Sequence, residues 1–305
     1  EILSDSGKIY VNDFFVNHEH RHLRVNGILS EQLTDTIRVD LQDINIAYIF
    51  DIADLGVDFS GIATGPAYGC GMLKEPVMFT DLNIRNLGLN SGLLGNTKIR
   101  GEWHNDVKGI RLNAHLQEPG IADTYVDGYI YPLKPNSGLD LNIVSDGTNL
   151  RFIHGFLGSL TSDFHGRATG NAHLYGTFKT LNLEGNLFCD ASMKVDELNT
   201  TYQVKDSVFA STNGLTFRNA RIDDTEGNSG VMNGYLNYRH FKNVEYQLNF
   251  DVSNMLLMNT HSTPDAIFYG TVYGTGNVQL SGTPETGLNV NVAATTNRNT
   301  LFTYM

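Results

Sequence analysis

The sequence predicts an all-β chain with a few short helices, built as an elongated antiparallel repeat of about three copies of ~105 residues each. Three observations predict it. Apolar and polar residues alternate with period two in many short segments. Gly and Asn each number 31 of 305 residues while Pro is only 7, and Gly and Asn accept the positive φ that tight turns demand. Short motifs recur in one order, with the glycines of the leading motif separated by 101 and 106 residues.

Composition narrows the class further. Hydrophobic residues are 41% and charged residues 18%, too apolar for disorder and too polar for a membrane bundle. The longest apolar stretch, Ile44 to Phe50, is interrupted by Asn45 and falls far short of the ~20 residues of a spanning helix. No signal peptide is read, and the ends at Glu1 and Met305 suggest an excerpt of a longer chain. The net charge of −12 disfavours nucleic acid, whose phosphates need a basic face. Two cysteines exclude a disulfide scaffold.

The alternating segments are Ile37, Val39, Leu41; Ile110, Leu112, Ala114, Leu116; Leu139, Leu141, Ile143; Tyr246, Leu248, Phe250, Val252; and Leu288, Val290, Val292. Each places apolar side chains on one strand face and Asn, Asp or Arg on the other. Asn26-Gly27, Asp127-Gly128 and Asn233-Gly234 precede apolar-rich triplets at Ile28, Tyr129 and Tyr235. An alternating strand follows each. A polar cap and a short apolar cluster come next: Asn45 before Ala47 to Phe50, Asn149 before Leu150 to Ile153, and Asn254 before Met255 to Met258. Leu150, Ile153 and Leu157 follow helical spacing, so we expect one short helix per copy, with an irregular buried loop as the alternative. Then come Phe59-Ser60-Gly61, Phe164-His165-Gly166 and Phe268-Tyr269-Gly270. Gly170-Asn171-Ala172-His173-Leu174-Tyr175-Gly176 is matched by Gly276-Asn277-Val278-Gln279-Leu280-Ser281-Gly282, and the first copy has the shorter Gly65-Pro66-Ala67-Tyr68-Gly69. The expected divisions are 1–45, a partial first repeat; 46–148; 149–253; and 254–305, a partial last repeat. Roughly seven strands per copy, stacked as one continuous sheet, would run to roughly 100 Å. Three closed β-sandwich domains remain the alternative.

This order of motifs resembles the repeat of the TamB (translocation and assembly module subunit) members of the AsmA-like family, most strongly over Phe152 to Gly185 and Phe268 to Thr300. The Asn-rich, aromatic-rich character is most similar to Bacteroidetes versions. The resemblance implies a β-taco-like sheet with an apolar inner groove, on a periplasmic protein running between the inner and outer membranes. It implies an inner-membrane anchor, N-terminal and outside this segment, and an outer-membrane BamA-family (TamA-like) barrel as partner. It also implies a role in phospholipid passage or in outer-membrane protein assembly. The groove candidates are Val39, Leu41, Leu112, Leu116, Leu141, Ile143, Leu248, Phe250, Val290 and Val292, with acyl chains as their partner. A closed core, as in a structural or adhesin repeat, is the competing reading of the same stripe.

Signals for chemistry are few. His18-Glu19-His20-Arg21-His22 matches the H-E-x-x-H zinc pattern, but that pattern acts from a helix. Its place before Asn26-Gly27 aligns it with Pro119 to Asp123 and Thr225 to Ser229, which read as hairpin tips. Asp223, Asp224, Glu226 and Asn228 form a loose calcium-like cluster without the full loop signature. Cys70 and Cys189 read as free, inert thiols, and Trp103 as a packing residue. No elbow serine, phosphate loop or dinucleotide fingerprint is present. We expect no enzyme activity, no metal and no cofactor.

Overall fold

The structure, a computed structural model, describes residues 1–47, 58–89, 92–118, 120–133, 137–154, 161–239, 242–264, 267–283 and 285–304. The described residues are almost all β, with nineteen antiparallel strands among them. Two short 3-10 turns lie among the described residues, and no complete α-helix does. The chain divides into two compact units, 1–147 with 173–181, and 148–172 with 182–305.

The first unit holds β1 (Ile2–Asp5), β2 (Lys8–His18), β3 (Arg21–Leu29), β4 (Thr36–Asn45), β5 (Phe59–Cys70), β6 (Val77–Leu89), β7 (Gly92–His104), β8 (Gly109–Glu118), β9 (Ala122–Tyr131) and most of β10 (Gly138–Asn149). Each strand pairs antiparallel with the next along the chain. Short turns make this meander possible. Ser6 and Gly7 both have positive φ, 49° and 78°, as a tight two-residue hairpin requires. The core of this unit gathers Ile46, Ala63, Ile84, Leu87, Ala114 and Leu116.

Strand β11 (Phe164–Thr177) contributes residues from His173 onward to the first unit and the preceding ones to the second. The second unit continues with β12 (Thr180–Val195) from Asn182 on, β13 (Thr200–Ser211), β14 (Gly214–Asp224), β15 (Ser229–Arg239), β16 (Lys242–Thr260), β17 (Phe268–Thr283), β18 (Gly287–Thr296) and β19 (Leu301–Tyr304). From β12 to β18 each strand again pairs with its successor. β19 returns to pair with the start of β17. The core gathers Ala220, Ile222, Met232, Val252, Met255, Val278 and Leu280. Burying a side chain such as Ile222 or Met255 contributes about 2 kcal/mol.

The Asn-Gly steps sit inside strands rather than at turns. Asn26 Oδ1 accepts the Asp13 N–H at 3.3 Å, and Asn233 Oδ1 accepts the Asn219 N–H at 2.8 Å. Asp13 and Asn219 are left-handed, φ 49° and 53°, and each marks a register shift with the next strand. The asparagine thus caps a β-bulge on its neighbour. A Cβ on Gly27 or Gly234 would lie 2.1 Å from a carbonyl oxygen of the following strand, so only glycine fits there. A second bulge recurs two copies apart: Asp43 N–H donates to Thr64 Oγ1 at 3.1 Å, and Asn254 N–H to Thr275 Oγ1 at 2.9 Å.

One of the three expected helices needs correction. In the third copy Met255 to Met258 belongs to β16. Met255, Leu256 and Met258 are all buried, and a strand buried on both faces reads as an unbroken apolar run, like a short helix. In the second copy the described part is a 3-10 turn, Arg151–Ile153, with Asn149 Oδ1 accepting the Arg151 N–H at 2.9 Å. Asn45 Oδ1 caps Ala47 N–H likewise at 3.0 Å, and the residues that follow Ala47 in that expected helix lie outside the described residues.

Candidate functional site

Directly paired residues of neighbouring strands share a sheet face, so register decides which apolar side chains meet. In the first unit one row runs Val25, Val39, Ala67, Thr80, Gly101, Leu112, Gly128, Leu141. Two residues along, Leu41 lies opposite Leu23, and Leu82, Ile99, Ala114, Val126 and Ile143 form the continuation. Leu116, Thr97, Ile84, Ala63 and Ile44 make a third row. Six of the ten candidates, from Val39 to Ile143, therefore lie on one face of this unit. The opposite face is mostly polar, with Arg38 paired to Asp40 at 2.6 Å and set 5.1 Å over the Tyr68 ring, though Phe79 and Val144 are exposed on it.

The other four candidates share a face of the second unit. Leu187, Val208, Phe217, Gly234, Leu248, Leu280 and Val290 form one row. Ala220, Met232, Phe250, Val278 and Val292 form the next. Against this face lies a cavity of about 690 Å³, lined among others by Phe250, Val290 and Val292, with Leu248 packed on the adjoining core. Its floor is dry: Met255 is 1% exposed and Leu280 6%. Its margin is not: Val292 is 55% exposed, Phe302 54% and Phe268 47%.

Beyond Val252 strand β16 has no pairing with β15, and side chains supply the missing partners. Asp224 Oδ2 accepts the Leu256 N–H at 2.8 Å. Tyr202 O–H donates to Leu256 O at 2.9 Å, and Asn199 Nδ2 to Asn259 O at 2.6 Å. This brings β13 across to β16. Burial pushes the Tyr202 phenol up to about 12.

The calcium-like cluster is a hairpin tip organised by Asp224. Its Oδ1 accepts the Glu226 and Asn228 N–H groups at 2.9 and 2.8 Å, and its Oδ2 accepts Asn228 Nδ2 at 2.9 Å. Burial raises the carboxyl, but these bonds and that from Leu256 outweigh it and hold the pKa below its ordinary 3.8. The donors occupying the carboxylate are protein N–H groups. The histidine run is a hairpin turn at Glu19-His20 between β2 and β3. His22 pairs with Asn17 and His18 with Arg21, so His18 and His22 project to opposite faces. No group of three or more metal-ligating side chains lies among the described residues. Cys70 and Cys189 are free thiols, and burial pushes Cys189 up to about 11. Trp103 is 7% exposed and donates from Nε1 to Asn105 Oδ1 at 2.9 Å.

Sequence reasoning missed Tyr202, Phe268, Phe302 and Glu197, all on the cavity wall. They come from β13, the 3-10 turn Asp196–Leu198 and the ends of β17 and β19, and no local pattern tied those segments to β16. Phe268 was visible as the aromatic of the third Phe-x-Gly step.

An antiparallel β-repeat with one apolar and one polar face is the class these features define. Residues 218–305 match the family model described as the TamB C-terminal domain, which supports reading the chain as a fragment of a TamB-family protein. No curated protein and no solved structure matches the chain. Among the described residues no helix is long and apolar enough to cross a membrane.

Proposed function

We propose that the apolar face holds lipid acyl chains and that the chain is part of a periplasmic, bridge-like protein passing phospholipid between inner and outer membranes, as the TamB resemblance implies. One observation carries the reading: the cavity in the second unit combines a buried apolar floor with a margin of Phe268, Val292 and Phe302 left about half exposed. A contiguous apolar patch of this kind marks a binding surface. Acyl chains slide along dispersion contacts with the side-chain rows while headgroups stay in water. The role is conduction rather than catalysis, and an N-terminal inner-membrane anchor and a BamA-family barrel would complete the path.

The test is mass spectrometry of lipids co-purifying with the chain, alongside Val290→Asp and Val292→Asp, two cavity-lining positions that are 38% and 55% exposed. Co-purifying phospholipid, reduced in folded variants, is the expected result. Unfolding of both variants with no lipid in the parent would rule the reading out.

A second reading rests on β18, whose residues pair only with β17 among the described strands. A free strand edge can add a strand from a client protein, as an assembly scaffold for outer-membrane proteins would. Site-specific crosslinks from β18 to client strands, without lipid, would favour it.

A further inference from the structure

We infer that the cavity of the second unit selects lipids whose headgroup carries a protonated amine, a phosphatidylethanolamine chemistry, over anionic headgroups such as phosphatidylglycerol; this rests on the lipid reading above. The selecting group is Glu197. Of the eighteen described side chains lining the cavity it is the only charged one, and it is exposed, as a rim residue must be. It makes no hydrogen bond or ion pair among the described residues. Its neighbour Asp196 is, by contrast, engaged by Ser162 Oγ at 2.6 Å and Lys194 Nζ at 3.9 Å. The Tyr202 hydroxyl is committed to Leu256 O. Among the described lining residues, a polar headgroup at this end therefore meets one uncommitted carboxylate and no cation.

The turn that carries Glu197 is fixed. Asn199 ends it in a left-handed conformation, φ 49°, and its side chain ties it to Asn259 O across on β16. The carboxylate is held where apolar lining gives way to water, and beside a low-dielectric wall its field is screened less than in bulk solvent. An ammonium there gains an ion pair. A net-negative headgroup, lacking a cation, meets repulsion instead, in a chain whose net charge is already −12.

The experiment uses the full chain and equilibrium binding from mixed micelles of phosphatidylethanolamine and phosphatidylglycerol with identical acyl chains. The native chain should prefer phosphatidylethanolamine by roughly twofold to fivefold, the range of a partly exposed ion pair. Glu197→Gln should abolish the preference, and Glu197→Lys should reverse it, with thermal melts almost unchanged because the side chain makes no hydrogen bond or ion pair among the described residues. Equal uptake of both lipids by the native chain, or a preference that survives Glu197→Gln, overturns the inference and leaves the lipid groove standing. Uptake of neither lipid overturns the groove reading itself, and the inference with it.

Discussion

The carboxylate of Asp224 accepts the backbone N–H of Leu256 at 2.8 Å, thirty-two residues further along the chain. The same residue's carbonyl takes the Tyr202 hydroxyl. Strand β16 outruns its neighbour β15 at this point, and unpaired backbone groups in a buried strand are costly. Two side chains, one from a hairpin tip and one from β13, therefore serve as a substitute strand edge.

Replacing Asp224 by Ala should cost about 3 kcal/mol, because a buried carboxylate with four N–H donors is removed and the donors are left without it. Chemical denaturation would measure the loss. A change below about 0.5 kcal/mol would mean the tip and β16 are not coupled.

The same carboxyl sets a pH dependence. Its folded pKa lies below the ordinary 3.8, so its contribution is complete above the unfolded value and is lost as pH falls through the folded one. The stability gap between the native chain and Asp224→Asn should be constant near neutrality and narrow below pH 3.8. A gap that widens on acidification would contradict the assignment.

Tyr202→Phe should cost about 1 kcal/mol, the value of one hydrogen bond whose buried acceptor loses its donor. Combined with Asp224→Ala, the two losses should be non-additive, since both act on Leu256. A double-mutant cycle reads the coupling directly.

Rim and floor of the cavity should respond differently to charge. Val292→Asp, at a position 55% exposed, should leave the melting transition almost unmoved. Met255→Asp, at 1% exposure, buries an unpaired carboxylate and should cost several kcal/mol. Equal destabilisation at both sites would mean that the cavity margin is covered in solution.

Cys189, with its thiol pushed up to about 11 by burial, should alkylate slowly at pH 8 because the thiolate is the nucleophile. In a Cys70→Ser background the labelling rate should keep rising beyond pH 9. A plateau near pH 8.5 would show a solvated thiol.

Much of this architecture was legible in the residues. Leu288, Val290 and Val292 announced β18 by strict alternation, and Leu139, Leu141 and Ile143 did the same for β10. One face of each strand is polar, so the period survives in the sequence. Where β13 crosses to β16 the second face is buried too, the period disappears, and Met255 to Met258 imitated a helix. Asp224 and Asn228 looked like ion ligands because the residues that cap a hairpin tip are the same oxygen-rich residues that hold calcium. Glu197 and Phe302 gave no signal, since their placement depends on contacts between segments far apart along the chain.

Pairing between chain neighbours also bears on how such a chain acquires its structure. From β1 to β10, and again from β12 to β18, every strand docks on the one synthesised just before it. Apart from the longer connection between Asn45 and Phe59, closing each step needs only a short loop, so its entropic barrier is small. Within each unit a nascent chain can zip strand by strand as it emerges, with little more than one unpaired edge exposed to aggregation at any moment.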